Sequence, residues 1–230
     1  MWKNFCDTFY LNFIEEDRWR YIADGLVVTL KITLMALILG IIIGLVVGII
    51  RTTYEKTHKL KVLNFFCTIY LTVIRGTPVV VQLLIMYFVI FGNSRIDKLP
   101  VAVLAFGINS GAYVAEIFRS GINSVEAGQM EAGRSLGFNY LDTMRYIILP
   151  QALKNVLPTL CNEFIALLKE TSVAGYIALQ DLTKGGDIIR SRTYSAFMPL
   201  IAVALIYLIL VMILSRLVGL LERRLRRSER

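Results

Sequence analysis

Charged and amide side chains inside apolar stretches are the residues of this sequence whose chemistry needs explaining. Arg75 interrupts the run from Leu60 to Phe91, Glu116 and Arg119 sit in a run over 99–122, and Asn162 and Glu163 sit in one over 151–168. An ionised group in hydrocarbon costs about 3 kcal/mol or more, so such residues face a protein interior or a water-filled cavity and find partners there. Arg75 directly precedes Gly76-Thr77-Pro78. Proline removes a backbone donor and disfavours helical geometry at the residue before it, and Gly76 adds a flexible joint, so a discontinuous or sharply kinked helix is expected. At 1.5 Å per residue, Arg75 lies roughly 22 Å from Leu60, and Asn162 and Glu163 lie roughly 18 Å from Pro150. Opposite charges therefore reach a similar depth. A solute carrying both a carboxylate and an ammonium could be held there, with Arg75 and the amides freed near Thr77 on one side and Glu163 with Asn162 on the other. The same charges could instead form an Arg75–Glu163 bridge that only locks two helices. Gln82 after the break and Thr171-Ser172 after the 151–168 run complete the candidate set: Arg75, Gly76, Thr77, Pro78, Gln82, Asn162, Glu163, Thr171 and Ser172.

Glu116 and Arg119 are three apart on one helix face and are expected to pair. Glu116 lies roughly 26 Å from Leu99, near the edge of a ~30 Å hydrocarbon core, which favours a structural pair over a solute contact. Lys31, a third of the way into an apolar run over 23–50, is expected to snorkel or to meet a carboxylate rather than to mark a pathway. Nothing suggests catalysis. His58 is the only histidine and lies in a polar loop, and Cys6, Cys67 and Cys161 are far apart with neither a metal nor a disulfide spacing. No G-x-x-x-x-G-K-[ST] occurs, so ATP is not bound through a P-loop of this chain. No catalytic, cofactor or metal site is expected.

The elements that must position these residues are membrane-spanning helices. Of 230 residues, 56% are hydrophobic and 18% charged, below the roughly 25% charged usage of soluble domains. Five spans are expected, over 23–50, 60–91, 99–122, 151–168 and 195–222, giving an all-α polytopic membrane protein with one membrane domain over 23–222. Residues 1–22 mix aromatic and charged side chains, among them Trp2, Trp19 and Tyr21, in a pattern suited to a membrane interface. No basic region followed by a short apolar core opens the sequence, so the first span is expected to be retained. Gly40, Gly44 and Gly48 recur every four residues and should form a stripe that packs closely on another helix. The net charge of +8 is explained by topology rather than by nucleic acid. With the C-terminus inside, the segments 51–61, 119–154 and 216–230 carry 14 Lys and Arg against 9 in 1–24, 95–98 and 169–192. That surplus places the N-terminus outside, and the 123–150 loop and the basic 223–230 tail inside.

That loop contains EAGQMEAGRSLGFNYLDTMRYIILP, residues 126–150. Glu131 to Leu136 can wind about two turns and Gly137 can take the left-handed conformation that ends them. Asn139 can cap a second helix, which Pro150 breaks or kinks. Glu131-Ala132-Gly133, Gly137 and Ile147-x-Leu149-Pro150 resemble, at the same spacings, the EAA loop of ABC importer permeases. The RGTP at 75–78 with Gln82, and Ala112 through Ile122, are similar to the polar amino acid group of that family, which handles histidine, glutamine, arginine and relatives. The resemblance implies a permease subunit that moves solute by alternating access. It further implies two cytoplasmic ABC ATPases that use ATP-Mg, a second permease subunit, identical or a sister chain, and an external solute-binding protein, all at a bacterial inner membrane. Glu131, Ala132, Gly133, Ser135, Leu136 and Gly137 would form the ATPase-coupling helix. Gly133 stands where the family commonly has a second alanine, a departure expected to loosen that helix slightly. The alternatives are a permease of the same superfamily for another small polar solute, or an ATP-independent channel or transporter.

Overall fold

The structure, a computed structural model, describes residues 2–227. Every regular element among these is helical and none is a strand. In chain order they are α1 (Trp2–Phe9), α2 (Trp19–Thr57), α3 (Lys61–Gly76), α4 (Val79–Leu84), α5 (Lys98–Asn123), α6 (Ala127–Ser135), α7 (Tyr140–Thr143), α8 (Leu149–Glu170), α9 (Leu182–Thr193) and α10 (Phe197–Arg227). The expected interfacial role of Trp2 and the end of the basic tail, 226–230, fall outside the residues whose side chains are described.

Helices α2, α5 and α10 are long and apolar enough to cross a membrane, and α3 together with residues 79–90 qualifies as a broken fourth span. The fifth expected span, within α8, is too polar to qualify on composition, because Lys154, Asn155, Asn162 and Glu163 interrupt it. The break at RGTP forms as expected. Thr77 (φ −123°, ψ 146°) and Pro78 (φ −65°, ψ 136°) are extended, and the helix restarts at Val79. Lys31 lies exposed beside Val27, Leu30 and Leu34 and makes no ion pair among the described residues, which fits a snorkelling side chain.

The chain divides into two compact units. One comprises Met1–Ala36, Pro78–Phe106 and Ile165–Ser215. Its core gathers Ile22 of α2, Leu182 and Ile189 of α9, and Val203 of α10. Buried hydroxyl and amide groups tie its segments together. The Leu182 N–H donates to Thr29 Oγ1 (3.0 Å), and Thr193 Oγ1 donates to Asn12 Oδ1 (2.8 Å). Each bond across the fold contributes about 1 kcal/mol, and leaving one partner buried and unpaired would cost more.

The other unit comprises Leu37–Thr77, Gly107–Phe164 and Arg216–Arg230. Here the glycine stripe of α2 meets α5 as expected. A Cβ on Gly44 would lie 2.5 Å from Val114 Cγ1, and one on Gly40 would lie 3.0 Å from Ser110. Helix α3 is held to α5 by Val47, Cys67, Leu71, Ala112 and Ala115, and by the Tyr70 hydroxyl, which donates to the Ile108 carbonyl at 2.6 Å. Val156 of α8 packs on Val114 and Phe118. With α5 fixed on three sides, the side chains at 110, 113, 116 and 119 take defined positions one turn apart.

Candidate solute site and coupling loop

Each turn of α5 contributes one polar group to the site. Ser110 is buried, and its hydroxyl donates to Glu163 Oε1 of α8 at 2.7 Å. Glu116 accepts from Arg119 through a single oxygen, at 3.1 Å from Nε and 2.8 Å from Nη2, which is the pair expected from the i, i+3 spacing. Arg119 also reaches Glu55 of α2 through Nη1 at 3.4 Å, and Asn123 donates to the second Glu55 oxygen at 3.3 Å.

The other Glu116 oxygen lies 3.9 Å from Arg75 Nη1, and the Arg75 guanidinium sits 5.7 Å from the centre of the Tyr113 ring. The ion pair of Arg75 therefore goes to Glu116, not to Glu163 as the bridging alternative requires. Similar counts of residues from the ends of apolar runs place Arg75 and Glu163 at nearly one depth and set Glu116 apart. Those counts assume that every run starts at the same height, which helices of different length and break position do not obey.

Two cavities adjoin this cluster. One of about 530 Å³ is lined by Tyr113, Glu116, Arg119, Ser124, Asn155, Thr159 and Glu163, among others. The second, about 360 Å³, is lined by Arg51, Thr68, Thr72, Arg75, Gly76 and Glu116. Glu116 borders both. Its distance from Leu99 argues for a structural pair, which forms with Arg119, and the same carboxylate also faces both cavities. Arg75 and Glu116 meet through the shared faces of α3 and α5, a register that nothing in the sequence specifies.

The remaining candidates distribute as follows. Gly76 lines the smaller cavity, and Thr77 Oγ1 donates to the Val73 carbonyl at 2.8 Å, capping α3. Asn162 is exposed and does not line either cavity. Pro78, Gln82, Thr171 and Ser172 belong to the first unit. There Thr171 is fully buried, its hydroxyl donating to the Leu168 carbonyl at 2.9 Å and lying 3.4 Å from Thr33 Oγ1.

The coupling loop folds as two short helices. Helix α6 begins at Ala127, four residues ahead of the expected Glu131, and ends where Gly137 takes φ +93°. The Gly137 N–H donates to Arg134 O at 3.0 Å and the Phe138 N–H to Gly133 O at 3.2 Å, satisfying the end of the helix. Asn139 Oδ1 accepts from the Asp142 N–H at 2.9 Å and caps α7. Pro150 does not break the chain there. A π turn over Met144–Ile148, closed by the Leu149 N–H on the Met144 carbonyl, leads directly into α8, where Pro150 sits in the first turn and its missing donor costs little. Glu131, Ala132, Ser135, Leu136 and Gly137 are exposed, and Leu136 is 78% exposed. Gly133 alone of the expected coupling residues is buried: a Cβ there would lie 2.5 Å from Thr143 Cγ2 and 2.9 Å from Ile147 Cδ1. The missing Cβ lets α6 close onto the helix that follows.

The family model of the binding-protein-dependent transport system inner membrane component matches residues 36–227. The glutamine transport system permease protein GlnP of Escherichia coli is 41% identical over 168 residues, covering 72% of this chain and 77% of its own. A putative glutamine transport system permease protein GlnP of Rickettsia bellii is 39% identical over 172 residues, covering 74% and 79%. Among solved structures, an amino acid ABC transporter with histidines superposes with a TM-score of 0.83 at 43% identity, over 89% of this chain and 94% of that one. The inward-facing MetNI methionine ABC transporter shares the fold with a TM-score of 0.78 at 19% identity, over 92% and 99%. The chain belongs to the binding-protein-dependent transport system inner membrane components, the permease subunits of ABC importers, whose ATP is hydrolysed by a partner chain.

Proposed function

We propose that this permease subunit imports polar amino acids through the cluster of Arg75, Glu116 and Glu163. The observation that carries this reading is a cavity of about 530 Å³ bordered by Glu116 and Glu163, with Arg75 only loosely paired to Glu116 at 3.9 Å. A zwitterion can enter without leaving any charge unmatched: its carboxylate replaces Glu116 beside Arg75, and its ammonium is taken up by the carboxylates. Charge-assisted hydrogen bonds of this kind are about twice as strong as neutral ones. The names of the relatives support amino acids as the solute class.

The exposed face of α6, with Leu136 as an apolar knob, docks on a cytoplasmic ABC ATPase that uses ATP-Mg. Two such ATPases, a second permease subunit and an external solute-binding protein complete the importer. The surplus of Lys and Arg supports a cytoplasmic loop and C-terminus with the N-terminus outside, in a bacterial inner membrane. Uptake of glutamine, histidine and arginine by the complete importer in proteoliposomes tests the site. Arg75→Ala is expected to weaken all three alike, since every amino acid carries the carboxylate, and Glu163→Gln to weaken arginine most. Unchanged apparent affinities in both variants would refute the assignment.

A further inference from the structure

A third cavity, of about 290 Å³, lies where the coupling loop meets the spans, and its lining is almost wholly apolar. Its floor includes Phe118, Ala152 and Val156, all buried, and its rim includes Ile49, Leu141 and Leu153, all exposed. Four helices contribute walls: α2, α5, α7 and α8. The groove follows α2 from Leu45 to Thr53, roughly 12 Å, with its loop end marked by Tyr140 and Leu141.

Two cations stand at that loop end. Lys56 follows Thr53 by one turn of α2, and Arg145 adjoins Met144 in the π turn, with its guanidinium 5.4 Å from the centre of the Tyr146 ring. Both are exposed, and neither makes an ion pair among the described residues. The carboxylates closest in sequence are Asp142, at the start of α7, and Glu55, which is engaged by Arg119 and Asn123. The balance at the rim is therefore positive. An apolar trough running along a spanning helix, open on one side and ending in unpaired cations beside aromatic rings, has the chemistry of a lipid molecule with an anionic head.

We propose that this groove is a binding site for an anionic phospholipid of the leaflet on the coupling-loop side, one acyl chain lying along α2 and the phosphate meeting Lys56 and Arg145. The proposal goes beyond solute transport and does not depend on which solute is carried. Because α7 forms one wall, the bound lipid fills the space between the loop and the spans and steadies the loop that α6 presents. A second copy of this chain on the same face would leave the two cations unmatched unless it brought its own carboxylates, whereas anionic lipid supplies the charge and the apolar chain together.

Tryptophan fluorescence of the full chain in lipid nanodiscs tests this. In a Trp2→Phe, Trp19→Phe background, Leu153→Trp reports on the groove, Leu45→Trp is a second rim reporter should the first misfold, and Ile38→Trp reports on an ordinary exposed face. Phosphatidylglycerol with brominated chains is titrated into phosphatidylcholine. The groove reporters are expected to reach half-maximal quenching at a mole fraction at least threefold lower than Ile38→Trp, and Lys56→Gln with Arg145→Gln is expected to remove the difference. Brominated phosphatidylcholine should show no preference. Parallel curves for groove and control reporters would reduce the site to ordinary surrounding lipid and overturn the proposal. A groove reporter that neither lipid quenches would mean that protein covers the groove, and would overturn it equally.

Discussion

Between Glu126 and Pro150 the groups that set the shape are chain neighbours, whereas around the larger cavity they come from far apart. Asn139 caps α7 through a residue three positions on, but Ser110 meets Glu163 across 53 positions and Arg119 meets Glu55 across 64. The loop leaves Leu136, Phe138 and Leu141 outward and settles most of its backbone locally, while the cavity turns polar side chains inward and settles them across helices. A docking surface can be built from local signals, because each stop needs one residue of the right kind. A solute site needs the register of three packed helices, and here glycine contacts between α2 and α5 supply part of that register.

The strongest expected effect breaks the local side of this contrast. Gly137→Val places a β-branched residue at φ +93° and should abolish the stop that aims α6. Transport-coupled ATP hydrolysis should fall at least tenfold while the chain still reaches the membrane; normal stimulation by the loaded binding protein would count against the coupling role. Gly133→Ala comes next, at up to about 3 kcal/mol, because its Cβ would press on the buried Thr143 methyl. Adding Thr143→Ser removes that methyl and should recover much of the thermal stability, and no recovery would show that the contact is not the cause.

A pH effect sharpens the comparison in the first unit, where a local cap is also buried by distant residues. Asp181 accepts from the Lys184 N–H at 2.9 Å at the start of α9, yet Oδ2 has no hydrogen-bond partner among the described residues. Burial pushes its carboxyl from the ordinary 3.8 up to about 6. The folded state then binds this proton more tightly than the unfolded one, so the cost is absent below about pH 4, grows between pH 4 and 6, and is complete above. Asp181→Asn keeps a capping oxygen and should stabilise the chain at pH 7 by of order 2 kcal/mol, with little change at pH 4. Melting curves at the two pH values read this out, and equal shifts at both would reject it. The smallest effect is expected from Glu55→Gln, an ion pair about one third exposed on both sides, worth at most about 1 kcal/mol and leaving solute affinity unchanged.

Residues that act through their chain neighbours are legible in the amino-acid sequence by itself. Gly137, Asn139 and the Thr77-Pro78 break behave as their conformational preferences require, and the glycines at 40, 44 and 48 find the close helix contact that their spacing implies. Gly133 escapes such a reading because its reason is Thr143, ten positions on and across a turn. The partner of Arg75 escapes it too, because helical rise measures distance along one helix and carries no information about its offset from the next. Thr171 stands out as a polar residue beside a span, but its hydroxyl is satisfied inside its own unit.

Uptake by the complete importer carrying Arg75→Ala, Glu116→Gln or both, measured beside folded yield, bears most directly on the solute site. Glu116→Gln leaves Arg75 without its carboxylate and should lower both yield and uptake, whereas Arg75→Ala leaves Glu116 paired with Arg119 and should lower uptake alone. The double variant removes the pair together. It should recover folded yield, yet uptake of every amino acid should remain low, because no cation is left to take the carboxylate. Recovery of uptake along with yield in the double variant would contradict the account and leave Arg75 and Glu116 as a helix brace.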